Sequence, residues 1–248
     1  MLHVVYRTCG GEDTRAEHKR RRNYKGDGPA PFERPEWFDK RACFKSFAQE
    51  LDDDVRVTIV YDGDRPLLRE YVHDHWVSRY PSRFTVRQIH VLDNRQSLLE
   101  CYRVADGDTT SDDVYFLEDD YLHRDGWLRV LREGFTTVPE DALITLYDHR
   151  DRYRRSDDVT AGQESMRLSA STHWRPAEST TCTCALRRAL WPRVRDTFMQ
   201  GGLRDREVYR SLIRMGIRLW QPIPGYSTHD SIRHLSPLVD WRAVRERL

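Results

Sequence analysis

Apolar positions along the 248-residue chain fall into short runs separated by charged turns, and the spacing within them switches between two and three-to-four residues. The run 2–6 (LHVVY) predicts a strand, and 10–35, rich in charge, Gly and Pro, predicts a long loop. In 37–51 the apolar residues Trp37, Phe38, Cys43, Phe44, Phe47 and Leu51 recur at helical spacing. The run 55–61 (VRVTIVY) predicts a second strand, closed by Asp62-Gly63-Asp64. A helix over 66–80, a strand over 84–92 and a helix over 96–105 capped by Asp93-Asn94 follow. Then come a strand at 114–117, a helix over 126–136 and a strand over 142–147. This alternation predicts an α/β fold with a largely parallel central sheet flanked by helices.

Beyond 147 the pattern changes. The highly charged stretch 148–164 predicts a loop that could close as a lid, and 166–174 with 178–186 predicts a small antiparallel pair. Helices over 187–199 and 205–215 and a strand at 218–222 complete the count. No repeat or low-complexity tract interrupts the chain, so a single domain over 1–248 is expected, divided at about 125.

The segment with most chemistry is Val114-Tyr115-Phe116-Leu117-Glu118-Asp119-Asp120, an apolar strand ending in three carboxylates. Adjacent acids repel unless a cation or solvent balances them. Open α/β sheets bind ligands beyond the carboxyl ends of their strands, and a hard divalent ion sharing its shell with substrate phosphates suits such a place. An isolated acidic turn is the plain alternative.

Composition narrows the setting. A third of the residues are charged, the net charge is +1, and lysine occurs only at Lys19, Lys25, Lys40 and Lys45. Near-neutrality gives no global attraction to nucleic acid or anionic lipid, although 15–25 (RAEHKRRRNYK) is locally basic. The five cysteines Cys9, Cys43, Cys101, Cys182 and Cys184 form no CxxC pair, so reduced thiols are expected. With no run of about 18 apolar residues and no leader-like start, a soluble, cytoplasmic protein is expected. No Ser-His-Asp order and no GxxxxGK[ST] loop supports a hydrolase or P-loop reading.

The order of elements resembles the GT-A class of nucleotide-sugar glycosyltransferases. The resemblance rests on Tyr61-Asp62-Gly63-Asp64 after the second strand and on Phe116-Leu117-Glu118-Asp119-Asp120-Tyr121, similar to that class's DxD motif. It also rests on Gly201-Gly202-Leu203-Arg204-Asp205-Arg206-Glu207 opening a helix and on the late Tyr226-Ser227-Thr228-His229-Asp230. It implies a single GT-A-like, Rossmann-like domain that moves a sugar, with UDP as the expected carrier, to an acceptor hydroxyl with the help of Mn²⁺ or Mg²⁺. Asp120 and His229 become the candidate metal ligands, with Asp119 as a second carboxylate and His234 as a competing imidazole. Arg7, Asp62, Asn94, Glu118 and Asp119 become candidates for the nucleotide sugar, and Asp205 or Glu207 for a general base. In the class motif the acids are adjacent, whereas Arg206 separates them here, so either can be the base and inversion or retention stays open.

The acceptors compatible with this reading are a protein, a glycan, a small metabolite or a hydroxymethylated base in DNA. Two rivals remain: a nucleotidyltransferase that uses Mg²⁺ on a nucleoside triphosphate, and a non-catalytic nucleotide- or glycan-binding module.

Overall fold

The structure, a computed structural model, describes residues 1–9, 33–63, 70–153, 166–181, 183–201 and 204–248. The basic run 15–25, Gly202, Leu203, Cys182, Asp64, the start of the helix expected from 66 and most of the expected lid (154–165) lie outside the described residues.

Nine strands form one sheet. In chain order they are β1 (Leu2–Cys9), β2 (Val55–Asp62), β3 (Phe84–Ile89), β4 (Asp113–Glu118), β6 (Leu143–Ile144), β7 (Arg167–Leu168), β8 (His173–Ala177), β9 (Cys184–Arg187) and β10 (Leu219–Ile223). Their spatial order is β3-β2-β1-β4-β9-β6-β10-β8-β7, with β1, β2, β3 and β4 mutually parallel. A second sheet pairs β5 (Tyr121–His123) with β11 (Ser227–His229), antiparallel. The helices are α1 (Lys40–Ala48), α2 (Asn94–Gly107), α3 (Trp127–Thr137), α4 (Trp191–Gly201), α5 (Asp205–Arg214) and α6 (Trp241–Glu246).

Strand alternation sends side chains to two cores. Tyr115 and Leu117 of β4 pack with Tyr6, Phe44, Phe47 and Trp127 on the α1 and α3 side. Val114 and Phe116 pack with Val5, Tyr102, Trp191 and Phe198 on the α2 and α4 side. Both faces are therefore covered, which is why β4 is apolar without a break until Glu118.

The carboxyl-side half departs from the expected pairing. The strands expected over 166–174 and 178–186 do not pair with each other. β7 and β8 form an edge hairpin joined to β10, while β9 inserts antiparallel between β4 and β6. Burial explains the split: Cys184, Ala185 and Leu186 are solvent-free and suit a central strand, whereas Arg167 and Leu168 are exposed. The strand expected over 142–147 is confined to Leu143–Ile144, because the Tyr147 N–H donates to Thr145 Oγ1 and leaves the ladder. The described part of the helix expected over 66–80 contains a π-helical turn at His73–Val77. Neither the β5–β11 pair nor α6 was expected.

Three described cysteines, Cys43, Cys101 and Cys184, are free thiols and buried. Among the described residues no helix is long and apolar enough to cross a membrane.

Candidate functional site

Parallel register sets the first part of the site. β1 and β4 align Arg7 with Glu118, and β1 and β2 align Cys9 with Asp62, so the carboxyl ends of three strands open to one place. Arg7 Nη2 donates to Glu118 Oε1, while Nη1 donates to the Asn94 carbonyl at 2.9 Å and to Asn94 Oδ1. Asn94 is there because Asp93 caps α2, its carboxylate accepting from the Gln96 N–H at 2.8 Å. One guanidinium thus links the end of β4 to the start of α2.

The next two acids are also paired. Asp119 Oδ2 accepts from Thr8 Oγ1 at 2.7 Å and faces Lys40 Nζ at 2.9 Å. Asp120 Oδ2 accepts from Arg34 Nη2 at 2.7 Å. The expected repulsion of three adjacent carboxylates is therefore relieved by three cations of the same chain, Arg7, Lys40 and Arg34. Lys40 is the first residue of α1, held by the Asp39 cap; Arg34 lies in the segment before it, tied down by the Ile232 N–H donating to the Glu33 carbonyl at 2.9 Å.

β11 delivers the histidine. Its pairing sets His229 opposite Tyr121, and the Asp230 N–H donates to the Asp120 carbonyl at 2.7 Å. His229 Nε2 then lies 3.3 Å from Asp120 Oδ2, and its ring meets Tyr121 edge-on with centroids 5.3 Å apart. His234 packs against His229 at 5.5 Å between centroids, and its carbonyl accepts from Tyr147 Oη at 2.6 Å.

Electrostatics follow from burial and these partners. Burial raises the Asp120 carboxyl, but His229, Arg34 and Lys40 outweigh it and hold the group well below the usual carboxylate range. Burial pushes His229 down to about 4 against the pull of Asp120, so its imidazole is neutral at pH 7. Burial pushes Asp230 up to about 7, opposed by Arg34 and helped by Asp120.

His3 and His123 are also lowered by burial, His123 to about 3. Each of the three is a base that the unfolded chain protonates near pH 6.5 while the fold does not. Their contribution is fully present above pH 6.5 and is lost as pH falls from there toward 4. The buried carboxyls Asp230 and Asp113, raised to about 7 and about 6, gain stability over the same window. Between pH 7 and 4.5 the melting temperature should therefore fall more, or rise less, in wild type than in His123→Gln; the same change in both would contradict the burial of this ring.

A divalent ion fits part of this donor set. Asp120 Oδ1 is buried without a hydrogen-bond partner, and the neighbouring imidazole keeps a lone pair. Among the described residues no three His, Cys, Asp or Glu side chains gather to hold a metal.

The remaining candidates stand apart from this centre. Asp62 Oδ1 accepts the N–H groups of Val91 at 3.0 Å and Leu92 at 3.1 Å. It thereby holds the loop after β3, where Leu92 is 80 % exposed with φ +49°. Asp205 lies in the first turn of α5, where its charge adds to the upward shift of the buried Cys184 thiol. Cys184 is the register partner of Phe116. Glu207 is exposed and ion-paired with Arg204 at 3.2 Å. Arg34, Lys40, Thr8 and Asp230 were not expected from the sequence; the only cue was that three adjacent acids need compensation.

No family model matches the chain, and no curated protein matches it. Solved structures do. GalNAc-T7 crystallised with UDP, GalNAc and Mn²⁺ superposes over 92 % of this chain at 10 % identity with a TM-score of 0.54, and the match spans 42 % of that protein's chain. S. aureus TarS 1-349 matches 89 % of this chain and 59 % of its own at 12 % identity with a TM-score of 0.47. The inositol-1-phosphate CTP transferase of T. maritima matches 99 % and 93 % at 15 % identity with a TM-score of 0.43. The last two scores are too low to carry an argument; the first shows the fold, a GT-A, Rossmann-like α/β architecture. This chain spans less than half the length of GalNAc-T7.

Proposed function

We propose that this chain is a divalent-metal-dependent glycosyltransferase that moves a sugar from a nucleotide donor, UDP-linked, to an acceptor hydroxyl. The observation that carries the reading is the convergence of Arg7, Asn94, Glu118, Asp119, Asp120 and His229 at the carboxyl ends of β1 and β4. Support for the donor class comes from the GT-A fold shared with GalNAc-T7, a protein crystallised with UDP and Mn²⁺.

In this reading Asp120 and His229 hold the ion, Mn²⁺ or Mg²⁺, which supplies Lewis-acid stabilisation of the departing nucleoside diphosphate. Imidazole in the set favours Mn²⁺. Arg7, Asn94 and Glu118 orient the nucleoside end, with Glu118 aimed by its guanidinium partner. Asp62 shapes the base pocket through the Val91–Leu92 backbone that it holds. Asp119, fixed by Thr8 and Lys40, keeps the chain from swinging between β4 and β5. Asp205 is the general base of an inverting reaction, with Glu207 as the alternative on the same turn. Either acts only if the acceptor hydroxyl comes within hydrogen-bond reach.

Product analysis tests the class. The protein incubated with a UDP-sugar panel or with nucleoside triphosphates, each with Mn²⁺ and with EDTA, is expected to release UDP slowly from one sugar donor, by transfer to water, only with Mn²⁺. Pyrophosphate release from a triphosphate would instead identify a nucleotidyltransferase. Release of neither product would refute the reading.

A further inference from the structure

The carboxylate best placed for an ion is shared with a guanidinium. Arg34 Nη2 donates to Asp120 Oδ2 at 2.7 Å, and Nη1 donates to the Asp230 carbonyl at 2.7 Å, from a side chain only 8 % exposed. The guanidinium lies over the Phe38 ring, 4.6 Å from its centroid. The other oxygen, Asp120 Oδ1, is buried with no hydrogen-bond partner. One oxygen of this carboxylate is paired with a cation of the chain, and the other is without a hydrogen-bond partner. A divalent ion on the unpartnered oxygen would stand close to a like charge in a poorly screened place, so ion and guanidinium compete.

A buried ion pair is weak grounds for stability, because desolvation offsets most of its Coulomb attraction. Arginine's planar fork, in contrast, matches phosphate oxygens as well as it matches a carboxylate. We propose that Arg34 is an exchangeable counter-ion: it neutralises Asp120 while the ion is absent, and it transfers to the donor's diphosphate when a divalent ion takes Asp120. The proposal rests on the reading of this centre as a nucleotide-sugar site. It makes ion and diphosphate binding mutually supportive, since an ion alone must displace Arg34 without offering it a new partner. Lys40 is the natural control. It carries the same charge beside the adjacent Asp119, and it is anchored at the start of α1.

The test measures Mn²⁺ alone by the electron-spin signal of the free ion, and UDP in saturating Mn²⁺ by calorimetry. Wild type, Arg34→Gln, Arg34→Lys and Lys40→Gln are compared, with melting curves to confirm folding. Arg34→Gln is expected to bind Mn²⁺ alone about tenfold more tightly and UDP with Mn²⁺ about tenfold more weakly. Lys40→Gln should raise Mn²⁺ affinity less. Arg34→Lys, which keeps the charge but not the fork, should weaken UDP without the gain for Mn²⁺, and it decides the matter if the glutamine variant unfolds. A structural tie alone would move both affinities down with the melting temperature. Mn²⁺ affinity unchanged or reduced in Arg34→Gln, or raised equally in Lys40→Gln, overturns the exchange, as does an unchanged UDP affinity. If wild type binds no UDP, the donor reading fails separately, and the Mn²⁺ comparison still decides whether Arg34 competes for Asp120.

Discussion

Asp120→Asn is expected to lower donor turnover about a thousandfold, because it removes the charged ligand of the ion and, with it, stabilisation of the leaving diphosphate. The substitution keeps the shape of the side chain but neutralises the partner of Arg34, which sits 2.7 Å away in a nearly solvent-free position. Breaking a buried pair from one side costs about 3 kcal/mol, so the variant should also melt earlier. The two effects separate experimentally. Below its own melting temperature the folded variant should show UDP affinity that no longer depends on Mn²⁺. Turnover within a factor of ten of wild type would show that the ion is held elsewhere or is not needed.

The second large effect is structural. Asp148 is fully buried after β6, and its carboxylate gathers three donors. Gln221 Nε2 at 2.5 Å and Arg175 Nη2 at 2.7 Å donate to Oδ1, and Tyr153 Oη at 2.5 Å donates to Oδ2. Its carbonyl also accepts from Ser236 Oγ at 2.8 Å. These bonds join β8, β10 and the segment that leads from β11 to α6. Asp148→Ala leaves a charge and a buried amide without their acceptor, a loss of about 3–5 kcal/mol. For a chain of this size that corresponds to a fall of about 10 °C in melting temperature. A fall under about 2 °C would mean that water replaces the carboxylate and that the junction of β8 and β10 does not depend on it.

What could be read in the sequence follows physical lines. The strands β1, β2 and β4 are short, apolar and bounded by polar turns, so their positions were legible, although β1 runs on through Arg7 to Cys9. Parallel register then fixes which residues meet, and Arg7 meets Glu118 directly. His229 was named a metal candidate by resemblance, and the device that brings it to Asp120, two three-residue strands, is too short to leave a periodic signature. Arg34 and Lys40 could not be read at all. Arg34 precedes the first helical spacing and Lys40 is a polar position at its start, and both lie more than seventy residues before the acids that they neutralise. A cation or solvent was expected to relieve the three-carboxylate repulsion, and the cations that the fold supplies are its own Arg7, Arg34 and Lys40. The pairing of β9 between β4 and β6 was hidden for a different reason: alternation tells which face a strand presents, not which neighbour it chooses.

The measurement that tests the central claim most directly is thermal melting of the wild-type protein with UDP and a panel of UDP-sugars, each with Mn²⁺ and with EDTA. A nucleotide that binds only the folded state in the presence of the ion should raise stability by about 3 kcal/mol at a hundredfold excess over its Kd, and EDTA should abolish the shift. No shift for any nucleotide in either condition would contradict the account and leave Glu118, Asp119 and Asp120 as an internally neutralised turn.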